Sequence, residues 1–268
     1  MSTRNIAKVG VVVSALVLCL LPAYTLAGSL NPPGPPTPTM KTLDQVEART
    51  PISQADIPLI ISARGSFYLT GNITAAQTAI TITADSVTID LNGFAITGPG
   101  AGNYWGINAN GRPWVVVRNG FIRSFRNAFL GGDDCVADNL VVRNCSLTGI
   151  QLNDRARITN CVVTDCSGSG IQAHDMYIIS NNVSSRNLLH GIIVVGGGII
   201  TNNVVDNNSA NGIYGDFGQQ IITYNHASYN SQYGISVVNA LIYYNVLGNN
   251  TNGSISCSGA CNSGNNLE

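Results

Sequence analysis

The dipeptide Gly-Ile recurs along this 268-residue chain at an almost constant interval. Four copies follow one another in steps of 21 residues, and four further copies or variants continue the series in both directions. The series is Gly106-Ile107, Ala128-Phe129, Gly149-Ile150, Gly170-Ile171, Gly191-Ile192, Gly212-Ile213, Gly234-Ile235 and Ser254-Ile255. A fixed period near 20–25 residues indicates one structural unit stacked on its neighbours, so the repeat constrains the fold more than any local propensity does.

Each repeat has the same internal plan of three short strand-forming runs separated by turns. The turn and strand at Asn160-Cys161-Val162-Val163 have a counterpart one repeat later at Asn181-Asn182-Val183-Ser184. No segment keeps a helical period of 3.6 residues, which argues against a solenoid of helices. Parallel strand connections are right-handed. The sequence therefore predicts an all-β fold, a single-stranded right-handed parallel β-helix of about nine coils, each of 21–22 residues, stacked roughly 4.8 Å apart.

Stacking of equivalent positions explains the Gly-Ile series. The large apolar side chains that follow each glycine would form one continuous buried column from Ile107 through Phe129 to Ile255. Each fully buried side chain of this size contributes roughly 1.5–3 kcal/mol. We expect the glycine before each of them to lie at the bend where the chain turns into the strand.

The first residues have the pattern of an export signal. Arg4 and Lys8 precede the apolar run Val9 to Leu21, and Thr25-Leu26-Ala27 offers a small-residue cleavage site. A membrane span is the alternative, but the run is shorter than the roughly 20 residues that a span needs. We therefore expect a signal peptide at residues 1–27, no membrane span after its removal, and a secreted, periplasmic or cell-surface protein.

The remainder of the chain divides by composition into four parts. Residues 28–40 are rich in proline and predict an extended linker. Residues 41–62 predict an N-terminal cap that contains a short helix beginning at Thr42, with an ordered loop as the alternative. The β-helix is expected over residues 63–256, and residues 257–268 are expected to close its C-terminal end or to trail from it.

Charge and cysteine content narrow the classes of function. Charged residues make up 10% of the chain and the net charge is −1, so the sequence lacks the basic surface that nucleic acid requires. Six of the seven cysteines lie outside the predicted signal, an even number suited to an oxidising compartment. Cys257 and Cys261 flank a Ser-Gly-Ala bend, and we expect a small disulfide between them.

The other four cysteines lie within the repeats. Cys145 and Cys166 share one repeat position, where the coil spacing fits a disulfide and a pair of buried free thiols equally well. Cys135 and Cys161 do not align with each other, and their pairing stays open. No Cys-x-x-Cys or clustered His accompanies them, so no zinc site is expected.

Three features of the sequence resemble one known family. An Asn-containing turn precedes each Gly-Ile strand, the first coils read Ile80-Thr81-Ile82 and Val87 to Gly93, and the lead runs from Pro35 to Gln45. Over roughly residues 41–262 these features resemble the repeats of the pectin-lyase-like superfamily, and the lead is similar to those of uncharacterised exported bacterial members. That superfamily includes pectate lyases, polygalacturonases, alginate epimerases, phage tailspikes and NosD-like carbohydrate-binding proteins. The resemblance implies the fold more strongly than any single activity.

One repeat position carries an aspartate in three successive repeats. Stacked carboxylates raise one another's pKa unless a cation lies between them. Such a face could serve glycoside hydrolysis, proton transfer in a lyase or epimerase, or Ca²⁺ binding through oxygen ligands. The alternative is that the carboxylates cap turns. The candidate residues are Asp133, Asp154, Asp175 and His174, with Arg155 and Arg157 as candidate sugar-contacting neighbours.

The motifs of the characterised enzymes are missing from this face. The sequence lacks the paired-Asp and His-Gly pattern of polygalacturonases, the Asp-Pro-His motif of epimerases and the arginine signature of pectate lyases. No catalytic role is therefore carried over from the family to a residue of this chain.

Two further columns follow from the period. Tyr224 and Tyr244 are expected to stack on neighbouring coils, either as part of a sugar-binding strip or as ordinary strand packing. A second column is expected to form an internal ladder of hydrogen-bonded amides. Its members recur at steps of 20 to 22 residues and are Asn187, Asn208, Asn230 and Asn250.

Together these features predict a secreted β-helix protein that binds a polysaccharide or cell-surface glycan, or that serves as a structural element of a surface. The alternative is a polysaccharide lyase, glycoside hydrolase or epimerase that acts from the face of Asp133, Asp154 and Asp175. A third hypothesis is a rod that associates with copies of itself. Ca²⁺ is the one cofactor that the residues leave open.

Overall fold

The structure is a computed structural model, and it describes residues 48–268. The predicted signal peptide, the predicted linker and the start of the predicted cap lie outside the described residues. The described chain contains one 3-10 turn at Gln54–Asp56, and its strands are β1 (Thr50–Ile52), β2 (Leu59–Ile61), β3 (Gly65–Leu69), β4 (Ile73–Thr74), β5 (Ile80–Ile82), β6 (Val87–Asp90), β7 (Ala95–Thr97), β8 (Trp105–Ala109), β9 (Val116–Arg123), β10 (Asn127–Gly131), β11 (Val136–Arg143), β12 (Ile150–Gln151), β13 (Arg157–Thr159), β14 (Val162–Thr164), β15 (Ile171–Ala173), β16 (Tyr177–Ser180), β17 (Val183–Ser185), β18 (Ile192–Val194), β19 (Gly198–Thr201), β20 (Val204–Asp206), β21 (Ile213–Thr223), β22 (Tyr233–Tyr243), β23 (Gly253–Cys257) and β24 (Cys261–Gly264).

These strands wind into a right-handed parallel β-solenoid of about ten turns, which confirms the predicted fold class. Every pairing is parallel, and the pairings define three sheets that run along the solenoid. Sheet A contains β2, β5, β8, β10, β12, β15, β18, the first halves of β21 and β22, and β23. Sheet B contains β1, β3, β6, the first halves of β9 and β11, β13, β16, β19, the second halves of β21 and β22, and β24. Sheet C contains β4, β7, the second halves of β9 and β11, β14, β17 and β20, and it continues as single bridges through His226, Val246 and Leu267.

The predicted apolar column is confirmed and runs through sheet A. Each side chain pairs in register with the next along the solenoid, and those from Ile80 to Ile235 are fully buried. The column also contains Leu59 and Ile80, which lie upstream of the predicted series. The sequence period does not reveal them, because residues 98–104 lengthen the turn between Ile80 and Ile107. The column is Leu59, Ile80, Ile107, Phe129, Ile150, Ile171, Ile192, Ile213, Ile235 and Ile255.

Four glycines of the series lie just before sheet A strands, as predicted, and Gly106 and Gly234 lie within β8 and β22. Their role differs from a positive-φ bend. None of them has a positive φ. A Cβ atom added at Gly170, Gly191, Gly212 or Gly234 would instead lie 2.7 Å from the side-chain amide nitrogen of an asparagine packed against it. Glycine is required there because the chain passes so close to this amide that no Cβ fits.

The asparagines in question form the predicted ladder, which is confirmed. The side-chain oxygen of Asn208 accepts hydrogen bonds from the backbone and side-chain N–H groups of Asn187 at 3.1 and 3.0 Å. Asn208 donates in turn to Asn230 at 3.0 Å, and Asn230 donates to Asn250 at the same distance. Buried amides are stable only when both their donors and acceptors are used, and stacking at one strand spacing satisfies them.

A second asparagine ladder runs parallel to the first between sheets B and C. Its amides are bonded in the same way, for example Asn203 to Asn225 at 2.9 Å and Asn225 to Asn245 at 3.0 Å. The sequence alignment of repeats places these residues at one position, yet it does not distinguish a ladder from exposed turn residues. The ladder comprises Asn182, Asn203, Asn225, Asn245 and Asn266.

The residue before each member of this second ladder has a left-handed backbone. Its φ lies between 51° and 61° at every turn from Asn119 onward. Asparagine adopts this conformation more readily than other side chains, which explains part of the asparagine content. Two tyrosines occupy it as well. The column is Asn119, Asn139, Asn160, Asn181, Asn202, Tyr224, Tyr244 and Asn265.

Both ends of the β-helix extend beyond the predicted boundaries. β1 pairs with β3 and β2 pairs with β5, so residues from Thr50 onward, which were assigned to the cap, already form solenoid turns. At the other end β24 pairs with β22, and Leu267 bridges to Val246. The predicted disulfide between Cys257 and Cys261 is present, with Cα atoms 6.3 Å apart.

The four cysteines within the repeats are buried free thiols, so the thiol alternative describes Cys145 and Cys166. A hydrogen bond with Cys166, together with burial, holds the pKa of Cys145 well above its ordinary value. Burial raises the pKa of Cys135 to about 11 and that of Cys161 to about 12. The sulfurs of Cys135, Cys145 and Cys161 therefore pack as small apolar groups rather than as reactive thiolates.

The close approach at the glycine column yields a stability prediction. Gly212→Ala should lower the free energy of unfolding by about 1–3 kcal/mol, because the new methyl group overpacks a site bounded by Asn230 and the Gly234 carbonyl. Gly248→Ala is the matched control, since a Cβ at Gly248 has nothing within 4 Å. The control should be neutral or raise stability by about 0.4–1 kcal/mol. Chemical denaturation of both variants measures the difference, and equal effects would contradict the packing explanation.

Candidate functional site

The three aspartates predicted to stack lie at the bend between sheets A and B. The register of β11, β13 and β16 places Asp133, Asp154 and Asp175 at equivalent positions on successive turns. Asp154 Oδ1 accepts a hydrogen bond from the backbone N–H of Asp175 at 3.2 Å. Asp175 Oδ1 accepts one from the N–H of Gly197 at 2.7 Å. Two of the three carboxylates thus cap the next turn of the solenoid.

The third carboxylate of this column faces an arginine. Arg155 forms a 3.3 Å ion pair with Asp133, and it donates two shorter hydrogen bonds to Asp134 at 2.8 and 2.9 Å. The hydrogen bonds from Arg155 lower the pKa of the Asp134 carboxyl group. The cation that like-charged stacking requires is therefore supplied from within the chain.

The other residues predicted for this site lie apart. Arg157 is exposed in sheet B, in register with Val136 and Ile178. His174 follows the sheet A strand β15 and is partly buried. Among residues 48–268, no cluster of three or more His, Cys, Asp or Glu side chains could hold a metal ion. The catalytic and sugar-contacting roles of these residues stay a prediction.

The predicted stacking of Tyr224 and Tyr244 is confirmed. Their ring centroids are 5.2 Å apart and the ring planes differ by 8°. Both side chains are about half exposed, at the bend between sheets B and C. Each ring covers one face of the other, so only their outer faces and edges are free for a ligand. This arrangement favours packing over a strip of open ring faces.

The outer surfaces of the three sheets differ in chemistry. Toward the C-terminal end, sheet B presents the aliphatic column Ile178, Ile199, Ile221 and Leu241 beside a column of hydroxyl side chains. Sheet C presents a column that is aliphatic except for His226, namely Val162, Val183, Val204, His226 and Val246. Sheet A instead presents mostly amide, hydroxyl, imidazole and carboxylate groups, interrupted by Leu130 and Ile193. We call this outward surface of sheet A, with the polar side chains at its border, the polar face. It comprises Gln151, Gln172, His190, Tyr214 and Asp216, with the buried amides of Asn127 and Asn211 at its border.

A cluster of ionisable groups forms one part of the polar face. The His190 and Tyr214 rings stack with centroids 4.6 Å apart and planes within 12° of each other. The backbone N–H of Asn211 donates to His190 Nδ1 at 3.3 Å. Burial lowers the pKa of His190, and a hydrogen bond to the Asp216 carboxylate raises the pKa of Tyr214. The imidazole is thus favoured in its neutral form, and the phenol keeps its proton.

An irregularity in β21 positions Asp216. The register with β22 shifts between Gly215 and Gln219, where one turn carries extra residues. Gln220 Nε2 donates to the Phe217 carbonyl at 2.7 Å and to the Gly196 carbonyl at 3.2 Å, which fixes the base of the resulting loop. Phe217 at its tip is 67% exposed. Bulges of this kind redirect side chains and are frequent beside functional sites.

Sequence reasoning did not find this cluster. His190 occurs once in its column, and Tyr214 lies between Ile193 and Ser236 in its own column, so neither residue belongs to a repeated pattern. Because His190 and Tyr214 are not at the same repeat position, the 21-residue period does not bring them together. The extra residues near Asp216 are the signal that was available, since an insertion into a regular repeat maps to a loop on one face.

Comparisons with known proteins agree with this architecture. Residues 149–268 match the family model described as the right handed beta helix region. The Dettilon tailspike protein superimposes with a TM-score of 0.62 at 14% identity, over 80% of this chain and 52% of the tailspike. This chain therefore spans about half the length of that protein. No curated protein sequence matches it.

Two epimerases have the same fold. The A-module of the mannuronan C-5 epimerase AlgE4 from Azotobacter vinelandii gives a TM-score of 0.53 at 12% identity, over 81% of this chain and 86% of the module. The periplasmic alginate epimerase AlgG gives 0.51 at 14% identity, over 82% and 73%. At these identities the similarity establishes the fold alone. The chain is a right-handed parallel β-helix protein.

The lowered pKa of His190 predicts a pH effect on stability. A histidine in the unfolded chain has a pKa of about 6.5, whereas burial in the folded protein disfavours the charged form of His190 and lowers its pKa. The contribution of neutral His190 to the free energy of unfolding is therefore fully present above pH ~6.5. It is lost as the pH falls through the lower pKa that His190 has in the folded state. Between pH 7 and pH 5 the wild type should lose more stability than His190→Asn. Parallel thermal melts across this range test the prediction, and identical slopes would refute it.

Proposed function

We propose that this protein is a carbohydrate-binding or surface-structural β-helix that holds a saccharide chain against the polar face of sheet A. The observation that carries the proposal is the difference between the sheets. Amide, hydroxyl and imidazole groups suited to sugar hydroxyls line sheet A, whereas aliphatic columns run along the outer surfaces of sheets B and C toward the C-terminal end. Ligand sites combine such convergent polar groups with exposed aromatic surface, and Tyr214 with Phe217 supplies the latter.

The similar structures are compatible with this proposal without establishing it. The two epimerases are described as acting on mannuronan or alginate, so polysaccharides are handled by proteins of this fold. Export to the cell surface or periplasm, expected from the first 27 residues, is part of the same proposal because a glycan partner would be met there. Among residues 48–268, no helix is long and apolar enough to cross a membrane.

The aspartate column gives the enzymatic alternative little support. Asp154 and Asp175 are engaged by backbone N–H groups, and Arg155 neutralises Asp133. A general acid or base needs a carboxyl group free to exchange its proton with a substrate. We expect no reducing or unsaturated sugar to be released from a panel of polysaccharides. Release that Asp175→Asn abolishes would establish the enzymatic function instead.

The proposed face is tested by a matched pair of tyrosine variants. A glycan array identifies a ligand for the wild type, and Tyr214→Phe should then weaken binding about threefold to tenfold, because a hydrogen-bonding group of the face is removed. Tyr244→Phe removes the same hydroxyl from the bend between sheets B and C and should leave affinity unchanged. Loss of binding in Tyr244→Phe alone would move the site to the tyrosine pair.

A further inference from the structure

Two adjoining cavities lie on the outer surface of sheet C, away from the polar face. The first has a volume of about 310 Å³ and is lined by Ala95, Phe121, Arg123, Val141 and Arg143. The second has a volume of about 330 Å³ and shares Phe121 and Val141 with the first. It adds Gly93, Asn119, Gly120 and Asn139 to the lining. We call the two together the arginine trough.

The charges in the arginine trough are unusual for this molecule. Arg123 and Arg143 are direct register partners on β9 and β11, so two cations of the same column face each other across one strand spacing. Like charges placed directly opposite destabilise a sheet. Arg123 Nε donates to the hydroxyl group of Thr97 at 3.1 Å, which is a neutral partner. Neither arginine has an acidic ion-pair partner among residues 48–268.

Several arginines elsewhere on the solenoid form an ion pair with an aspartate on an adjacent turn. Arg118 pairs with Asp90 at 3.2 Å, and Arg155 pairs with Asp134 at 2.8 Å. Hydrogen bonds from Arg186 at 2.8 and 3.1 Å hold Asp165 and lower the pKa of its carboxyl group, to which the charge of Arg143 adds a weaker effect. The two arginines of the trough differ from these ion-paired ones because neither has a carboxylate partner among residues 48–268.

The other residues that line the trough are apolar next to the arginines and carry amide groups farther away. Phe121 is 45% exposed and forms an apolar floor with Val141 beside the arginines. On the far side of that floor, Asn139 Nδ2 donates to Asn119 Oδ1 at 3.1 Å, and Asn119 Nδ2 donates to the Asp90 carboxylate at 3.2 and 3.3 Å. The second amide hydrogen of Asn139 is left for a ligand. Cation, apolar surface and amide thus follow one another over neighbouring residues of the same two strands.

We propose that the arginine trough binds a carboxylated sugar unit of an acidic saccharide. The carboxylate lies between the guanidinium groups of Arg123 and Arg143, which present donors in the geometry that carboxylates accept. The apolar face of the sugar ring packs on Phe121, and its hydroxyl groups reach Asn119 and Asn139. The site uses no residue of the polar face. It shares with the proposed function only the saccharide class of its ligand.

The test measures binding of a mannuronate oligomer and of the matched neutral mannose oligomer to the purified protein by calorimetry at low salt. We expect the acidic oligomer to bind more tightly, and added salt to weaken that binding. Arg123→Gln and Arg143→Gln should each reduce its affinity about tenfold or more, since each removes charge-assisted hydrogen bonds. Arg64→Gln is the matched control, because it removes one exposed arginine that lies outside the trough.

Each alternative result overturns the proposal. An equal loss in Arg64→Gln would show attraction to overall charge rather than to this site, and equal affinity for the neutral oligomer would exclude carboxylate recognition. Binding of inorganic sulfate at the same strength as the oligomer would reduce the site to a simple anion site. Absence of oligomer binding would also reject it. Failure here is distinguishable from failure of the polar face, because Arg123→Gln and Arg143→Gln alter no residue of that face and Tyr214→Phe alters none of the trough.

Discussion

In-register stacking of equivalent side chains at one strand spacing is the constraint on which this structure depends. Inside the solenoid it builds the isoleucine column, and at two of the bends it builds ladders of buried asparagine amides. The apolar column gains from burial whatever its detailed geometry, because the hydrophobic effect is not directional. Buried amides, in contrast, need their hydrogen-bond partners at a specific distance and direction. A buried amide that loses its partner costs about 1–3 kcal/mol, so the ladders fix the register that the apolar column alone would leave loose.

The same constraint shapes the outer surface. A side chain that points outward is repeated by its neighbours above and below, so each sheet acquires a chemical character over several turns. Sheets B and C are largely aliphatic toward the C-terminal end, and sheet A is largely polar. We expect functional sites where a side chain breaks the chemical pattern that its column repeats from turn to turn. Two such departures stand out, namely the bulge that brings Asp216 beside Tyr214, and the two arginines that are direct register partners, Arg123 and Arg143.

The aspartate column illustrates how a pattern can indicate chemistry and yet be used structurally. From the sequence, three stacked carboxylates are compatible with catalysis, calcium binding or turn capping. The backbone N–H groups of Asp175 and Gly197 each point at the carboxylate one turn earlier. Arg155 lies beside Asp133 and Asp134. These contacts depend on side-chain directions at a bend, which repeat spacing does not specify, and they favour capping.

The sequence by itself determined those structural features that depend on the 21-residue repeat. The period predicted the fold class, the neighbours in the isoleucine column, the ladder through Asn208 and the stacking of Tyr224 on Tyr244, because equivalent positions on successive turns must lie one strand spacing apart. The tertiary structure alone decided which groups meet when they belong to different positions of the repeat. His190 meets Tyr214, and Arg123 meets the floor of Phe121 and Val141, because bends and pleats bring unlike columns together on one surface. A periodicity carries no information about that geometry.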